Sequence, residues 1–230
     1  MIATPSRQLS FPQPKRHGGV RPGAGRKPSG RRVGVPHRSR AVHKARHPVH
    51  VTLRAREGLP SLRSDRLLFA AVRGAIAAGH RPAFRVVHFS VQSNHLHLLV
   101  EASDTQALSR GMQGLTIRIV HAVHRTLGHA GAVFADRYHA HELRTPHETR
   151  AGLLYVLQNW AKHGLGGDYD PRSSAAWFDG WAVPPPRSQQ TKSSPVVAAP
   201  RTWLITVGWR RHGLLRPGET PGPARARFLA

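Results

Sequence analysis

The order of apolar periods between His47 and Gly164 restricts the fold more than any other feature of the chain. "HPVHVTLR" (His47 to Arg54) alternates Val49, Val51 and Leu53 on one side, the period of a strand. Ser64-Asp65 precedes "RLLFAAVRGAIAAGH", in which Leu67, Leu68, Ala71, Val72 and Ile76 recur at helical spacing and Gly79 fits a stop. "FRVVHFSVQ" from Phe84 is β-branched and aromatic. The short turn Ser93-Asn94 joins it to a third strand, His95 to Ala102, as a hairpin. Ser103-Asp104 can cap a long helix whose face includes Leu108, Met112, Leu115, Ile119 and Val123, and a fourth strand is expected near Tyr138 to Arg144. Thr145 as N-cap, Pro146 in the first turn and Glu148 closing a capping box then open a last helix, with Gly164 as its expected C-cap. Strand-helix-strand-strand-helix-strand predicts an α+β, ferredoxin-like βαββαβ antiparallel sheet. Two helices cover one face, and one further helix follows.

The chain has 230 residues, more than this core requires, so the remainder is read as extensions. Residues 1–46 hold twelve Lys or Arg and no acid, and "GGVRPGAGRKPSGRR" has no apolar period, which predicts a basic flexible arm. Arg21, Arg26, Lys27, Arg31 and Arg32 are its candidate DNA contacts. "GRKP" at Gly25 to Pro28 is similar to arms that enter a narrow minor groove, although a plain phosphate-binding tail reads equally well. The main domain is expected over 47–183, with "DYDPRSSAAWFDGW" packing on it. A Pro/Ser-rich linker should occupy 184–200. A basic tail, 201–230, has enough apolar residues in "RTWLITVGWRRHGLL" to dock. The formal charge of +24, from 35 Lys+Arg against 11 Asp+Glu, opposes compaction unless a polyanion is a partner. Nucleic acid is the natural one, since each neutralised phosphate releases counterions; Arg137 and Lys162 join the candidate contacts. The absence of cysteine excludes disulfides, thiolate metal sites and a cysteine nucleophile. With no apolar run of roughly 18 residues and no signal-type segment, the expectation is a cytoplasmic protein without a membrane span.

Within "VQSNHLHLLVEA", Leu96, Leu98 and Val100 should point into the core while His95 and His97 share the opposite, open face. Two imidazoles about 7 Å apart along a strand can converge on one cation, and a central strand gives the rigidity that a metal site needs. His139 and His141 form a second such pair. Taken alone, either pair reads first as surface histidines, since chance pairs are not rare among 17 His and no thiolate is available to complete a zinc shell. On the last helix, Tyr155 and Asn159 lie four residues apart and therefore on one side. They fall beside the apolar stripe Leu153, Leu154, Leu157 and Trp160.

The segments "NHLHLLVEA" and "DRYHAHELRTPHETRAGLLYVLQNWAKHG", in this order, resemble the REP-associated tyrosine transposases, a branch of the single-tyrosine HUH transposase superfamily. The resemblance spans about residues 47 to 164, and "GGVRPGAGRKP" and "TWLITVGWRRHGLL" are also similar to family segments. Two departures are visible: Ser93-Asn94 stands where the family has Pro-Asn, and Trp160 where it has proline after the helix Asn. The resemblance implies that His95, His97 and Asn159 hold a divalent metal, Mg²⁺ or Mn²⁺, and that Tyr155 is the nucleophile. It further implies cleavage and rejoining of single-stranded or hairpin DNA through a 5′-phosphotyrosine, by a monomer or homodimer. A nearby cation and a basic surface are expected to ease tyrosine ionisation. His139 and His141 are not expected to be essential ligands. The rival class is a noncatalytic protein binding single-stranded or hairpin nucleic acid; a replication initiator or relaxase would bring helicase or extra tyrosine motifs that are absent.

Overall fold

The computed structural model describes residues 41–128, 130–160, 168–186 and 195–220. Four strands, β1 (Val49–Arg54), β2 (Phe84–Val91), β3 (His95–Ala102) and β4 (His139–Glu142), form one antiparallel sheet in the order β2-β3-β1-β4. Helices α1 (Arg66–Ala77) and α2 (Thr105–Leu127) make the crossovers, which gives the ferredoxin-like arrangement. Each helix begins where a side chain satisfies its free amides. The Asp65 carboxylate accepts from Leu67 and Leu68 N–H, and that of Asp104 from Ala107 N–H. α2 ends at Gly128, whose φ of 59° is the left-handed cap conformation that glycine tolerates.

Both helices cover one sheet face. Val49, Val51 and Leu53 of β1 and Leu96, Leu98 and Val100 of β3 meet Leu68, Phe69, Val72, Ile76, Leu108, Met112, Leu115 and Ile119 there. Contact is close at Gly111, where a Cβ would fall 2.1 Å from Cγ of Phe84. Leu67 departs from the helical pattern read in the sequence and is 70% exposed, because Leu68 and Phe69 turn toward the sheet in its place.

The opposite face is not open to solvent. Helix α3 (Pro146–Gln158) lies across it behind the expected capping box of Thr145 and Glu148. A second apolar cluster joins Leu99 of β3 and Leu153, Leu154, Val156 and Leu157 of α3 to Tyr169, Phe178, Trp181, Trp209 and Leu215. At Gly152 a Cβ would meet Leu143 Cδ1 at 2.9 Å, so α3 crosses close to the end of β4. Gly164, expected as the C-cap, lies outside the described residues; α3 is closed by Asn159 in helical conformation.

Two buried polar devices fasten the aromatic cover. Arg63 pairs with Asp170 through Nη2–Oδ1 at 2.8 Å and Nη1–Oδ2 at 3.1 Å, and also donates to Val91 O. Glu101, on the α3-side face of β3, accepts from the backbone of Arg201 and Thr202 and from the Thr202 hydroxyl. Those bonds deliver α4 (Trp203–Thr206) and the following turn (Gly208–His212), which set the fully buried Trp209 against Phe178. Arg150 of α3 grips the same segment, donating to Gly213 O and Leu214 O and pairing with Glu219 at 2.7 Å. Val196, within the Pro/Ser-rich stretch, is buried in the first core.

Candidate active site

Residues paired directly across an antiparallel ladder share a face, and this sheet places His97 of β3 opposite Thr52 of β1 and Ser90 of β2. His50 pairs with His141 and Thr52 with His139. By alternation, His50, His88, His95, His97, His139 and His141 all belong to the face that α3 crosses.

Tyr155, Asn159, His95 and His97 are brought together. The His97 ring lies 4.6 Å from that of His95 and 4.9 Å from that of Tyr155, edge-on in both cases. Asn159 Nδ2 is 3.4 Å from His97 Nε2. His95 Nδ1 is 2.7 Å from the Asn94 side-chain oxygen, at the exposed rim. The expected open face is corrected here: His97 is only 2% exposed and Tyr155 7%, because α3 lies across this side of the sheet. Burial raises the Tyr155 hydroxyl above the ordinary tyrosine value.

Two residues that the sequence reading passed over complete the constellation. His50 Nε2 is 3.3 Å and Thr52 Oγ1 3.2 Å from His97 Nδ1. The His50 ring lies beside that of His97 at 5.3 Å and meets Tyr155 edge-on at 5.4 Å. The signal was available: His50 and Thr52 alternate with Val49, Val51 and Leu53, so they must face the α3 side of a strand adjoining β3.

Two imidazoles and an amide are neutral donors suited to a divalent cation that keeps positions open for substrate. Among the described residues no group of three or more His, Cys, Asp or Glu is arranged to hold a metal, so a shell here would need Asn159 and exogenous oxygen. Arg137 sits apart, lining a cavity of about 690 Å³ beside β4 with Tyr138, His141 and Arg144. Arg21, Arg26, Lys27, Arg31, Arg32 and Lys162 lie outside the described residues. No helix among the described residues is long and apolar enough to cross a membrane.

No protein-family model matches the chain, and no curated protein matches it. One solved structure is similar. Its description is "Structure of the REP associates tyrosine transposase bound to a REP hairpin", and the likeness has 20% identity and a TM-score of 0.47 over 56% of this chain and 75% of that one. So distant a likeness carries no residue roles across.

Burial of the histidine face has a measurable consequence for stability. His88, with Nδ1 3.1 Å from Ser174 Oγ, is pushed down from 6.5 to about 4 by burial. His50 is pushed down from 6.5 to about 3, by burial first and then by His141 and His139. The unfolded chain therefore binds more protons than the fold from about pH 6.5 down to those values, and stability is lost as pH falls through that window. Acidification from pH 7 to 5 is expected to cost about 2 kcal/mol per histidine. Thermal melting across this range checks it; a flat Tm would mean that both rings protonate within the fold.

Proposed function

We propose that this protein cleaves and rejoins single-stranded DNA at hairpin elements, with Tyr155 as nucleophile. The observation that carries the reading is the convergence of Tyr155 and Asn159, from α3, on His95 and His97, from β3. A tyrosine, two imidazoles and an amide in one partly closed site suit transesterification at a phosphodiester. Tyr155 Oη forms a bond to phosphorus, the P–O3′ bond breaks, and the hydroxyl proton leaves for solvent while the 3′-oxygen gains one. The covalent 5′-phosphotyrosine retains the bond energy for attack by another 3′-OH. A divalent cation, Mg²⁺ or Mn²⁺, would supply charge stabilisation on a nonbridging oxygen, held by His95, His97 and Asn159. Burial disfavours ionisation of Tyr155, and such a cation, or the approach of a basic side chain, would offset it. The +24 charge supports a nucleic-acid substrate, and the hairpin class rests on the sequence resemblance. A cytoplasmic setting accords with this reading.

The burial of Tyr155 also favours a second reading, in which the site is inherited and the protein only binds hairpin nucleic acid. Hairpin oligonucleotides with single-stranded flanks, incubated with the protein and Mn²⁺ and run under denaturing conditions, separate the two. Cleavage gives a metal-dependent covalent adduct, whereas the second reading gives binding alone. In the same assay His95→Ala, His97→Ala and the double variant should lose adduct to a similar degree, as groups acting as a unit do. Additive losses would mean that the two rings do not serve one cation. The buried His97→Ala should also melt lower than the rim variant His95→Ala, since it leaves His50 and Asn159 short of a partner.

A further inference from the structure

We propose that His50 is a positioning residue that fixes the tautomer and the ring orientation of His97. The inference rests on the metal reading of His97 given above. An imidazole binds a cation through a nitrogen lone pair, and the hydrogen bond made by its other nitrogen selects which one is presented. Here His97 Nδ1 faces the interior of the sheet, 3.3 Å from His50 Nε2 and 3.2 Å from Thr52 Oγ1. Nε2 faces Asn159, on α3. A proton on Nδ1 can be shared between the hydroxyl oxygen of Thr52 and the ring nitrogen of His50, and this leaves the Nε2 lone pair directed at α3. The amide contact fits the same tautomer, because Asn159 Nδ2 at 3.4 Å donates to an unprotonated Nε2.

Two further observations make His50 more than a second acceptor beside Thr52. Its ring meets that of His97 side by side, 29° between planes and 5.3 Å between centres, so a 180° flip of His97 forfeits both contacts to Nδ1. The same ring meets Tyr155 edge-on at 5.4 Å. One buried side chain of β1 therefore touches the ligand and the nucleophile of the proposed reaction without being a ligand itself. β1 lies between β3 and β4 in the sheet, so His50 starts from a rigid backbone.

The test uses the full-length protein in two measurements, neither of which needs DNA or turnover. Long-range ¹H–¹⁵N correlation spectra of the metal-free protein report which nitrogen of His97 carries the proton, with His97→Gln assigning the signal. Wild type should show protonated Nδ1, and His50→Phe, which keeps a ring of similar shape, should show a mixture of tautomers. Mn²⁺ titration followed by electron paramagnetic resonance should give affinity about 10-fold or more weaker in His50→Phe. His50→Gln, which restores a hydrogen-bonding group, should recover most of it. Protonated Nε2 in wild type overturns the inference. So does a His50→Phe protein that is folded by thermal melting and matches wild type in both tautomer and affinity. If His97→Ala binds Mn²⁺ as wild type does, the metal reading fails instead, and the tautomer spectra still decide the role of His50. Should His50→Phe not fold, an intact tautomer and full affinity in His50→Ala would count against the proposal in the same way.

Discussion

Tyr155→Phe is expected to reduce the covalent protein–DNA adduct to background while leaving hairpin affinity nearly unchanged. The substitution removes one oxygen and keeps the ring that packs edge-on against His50 and His97, so the fold should tolerate it. Tyr138, the other tyrosine near the sheet, packs against the first core, on the α1 and α2 side, and lines the cavity beside β4. Tyr138→Phe should accordingly keep adduct formation. Denaturing gels with a labelled oligonucleotide, paired with a binding titration, provide both readings. An adduct in Tyr155→Phe that disappears in Tyr138→Phe would move the nucleophile to Tyr138, just before β4.

The largest loss of stability is expected from Asp170→Ala. Asp170 takes both Nη groups of Arg63, the Ser90 hydroxyl and the Arg172 N–H, and is almost wholly buried. Removing it leaves a guanidinium in the interior facing only the Val91 carbonyl. Breaking one side of such a pair costs about 3–5 kcal/mol. For a domain of this size, that is a drop in Tm of roughly 10 °C or more. Replacing both partners, Arg63→Met with Asp170→Leu, should recover much of the loss, because no unpaired charge remains. Equal melting of the single and double variants would show that packing, rather than the stranded charge, sets the cost.

The strands and helices of the ferredoxin-like core were legible because each carries its own period and its own cap. Asp65, Asp104 and Thr145 all cap as their sequence contexts require. Alternation on β3 paired His95 with His97, and the helical repeat paired Tyr155 with Asn159, but joining the two pairs was implied by the family resemblance alone. Burial of that group was not legible. It comes from α3 lying across the sheet, and α3 is itself backed by Phe178, Trp181 and Trp209, in stretches with no period, which are brought in by the long-range Arg63–Asp170 and Glu101–Thr202 bonds. Leu67 was misread for a local reason: at the second residue of α1 its direction depends on where the first turn begins, which spacing alone leaves open by a residue. His50 and Thr52 went unnoticed because their meaning arises only from pairing with His97, across 45 or more residues of chain.

The docking of the Trp203–Leu215 segment on α3 also sets an order of assembly. Chains emerge from their N-terminus at roughly 5–20 residues per second, so the tyrosine helix is synthesised seconds before Trp209 arrives to cover it. In that interval Leu153, Leu154 and Leu157 have the sheet on one side and lack their indole and leucine partners on the other. Arg150 likewise waits for the Gly213 and Leu214 carbonyls and for Glu219. A chain interrupted before this segment would carry every residue of the candidate site yet hold Tyr155 on a helix with one flank bare. The full apolar cover of α3 is thereby deferred until the Trp203–Leu215 segment has been synthesised.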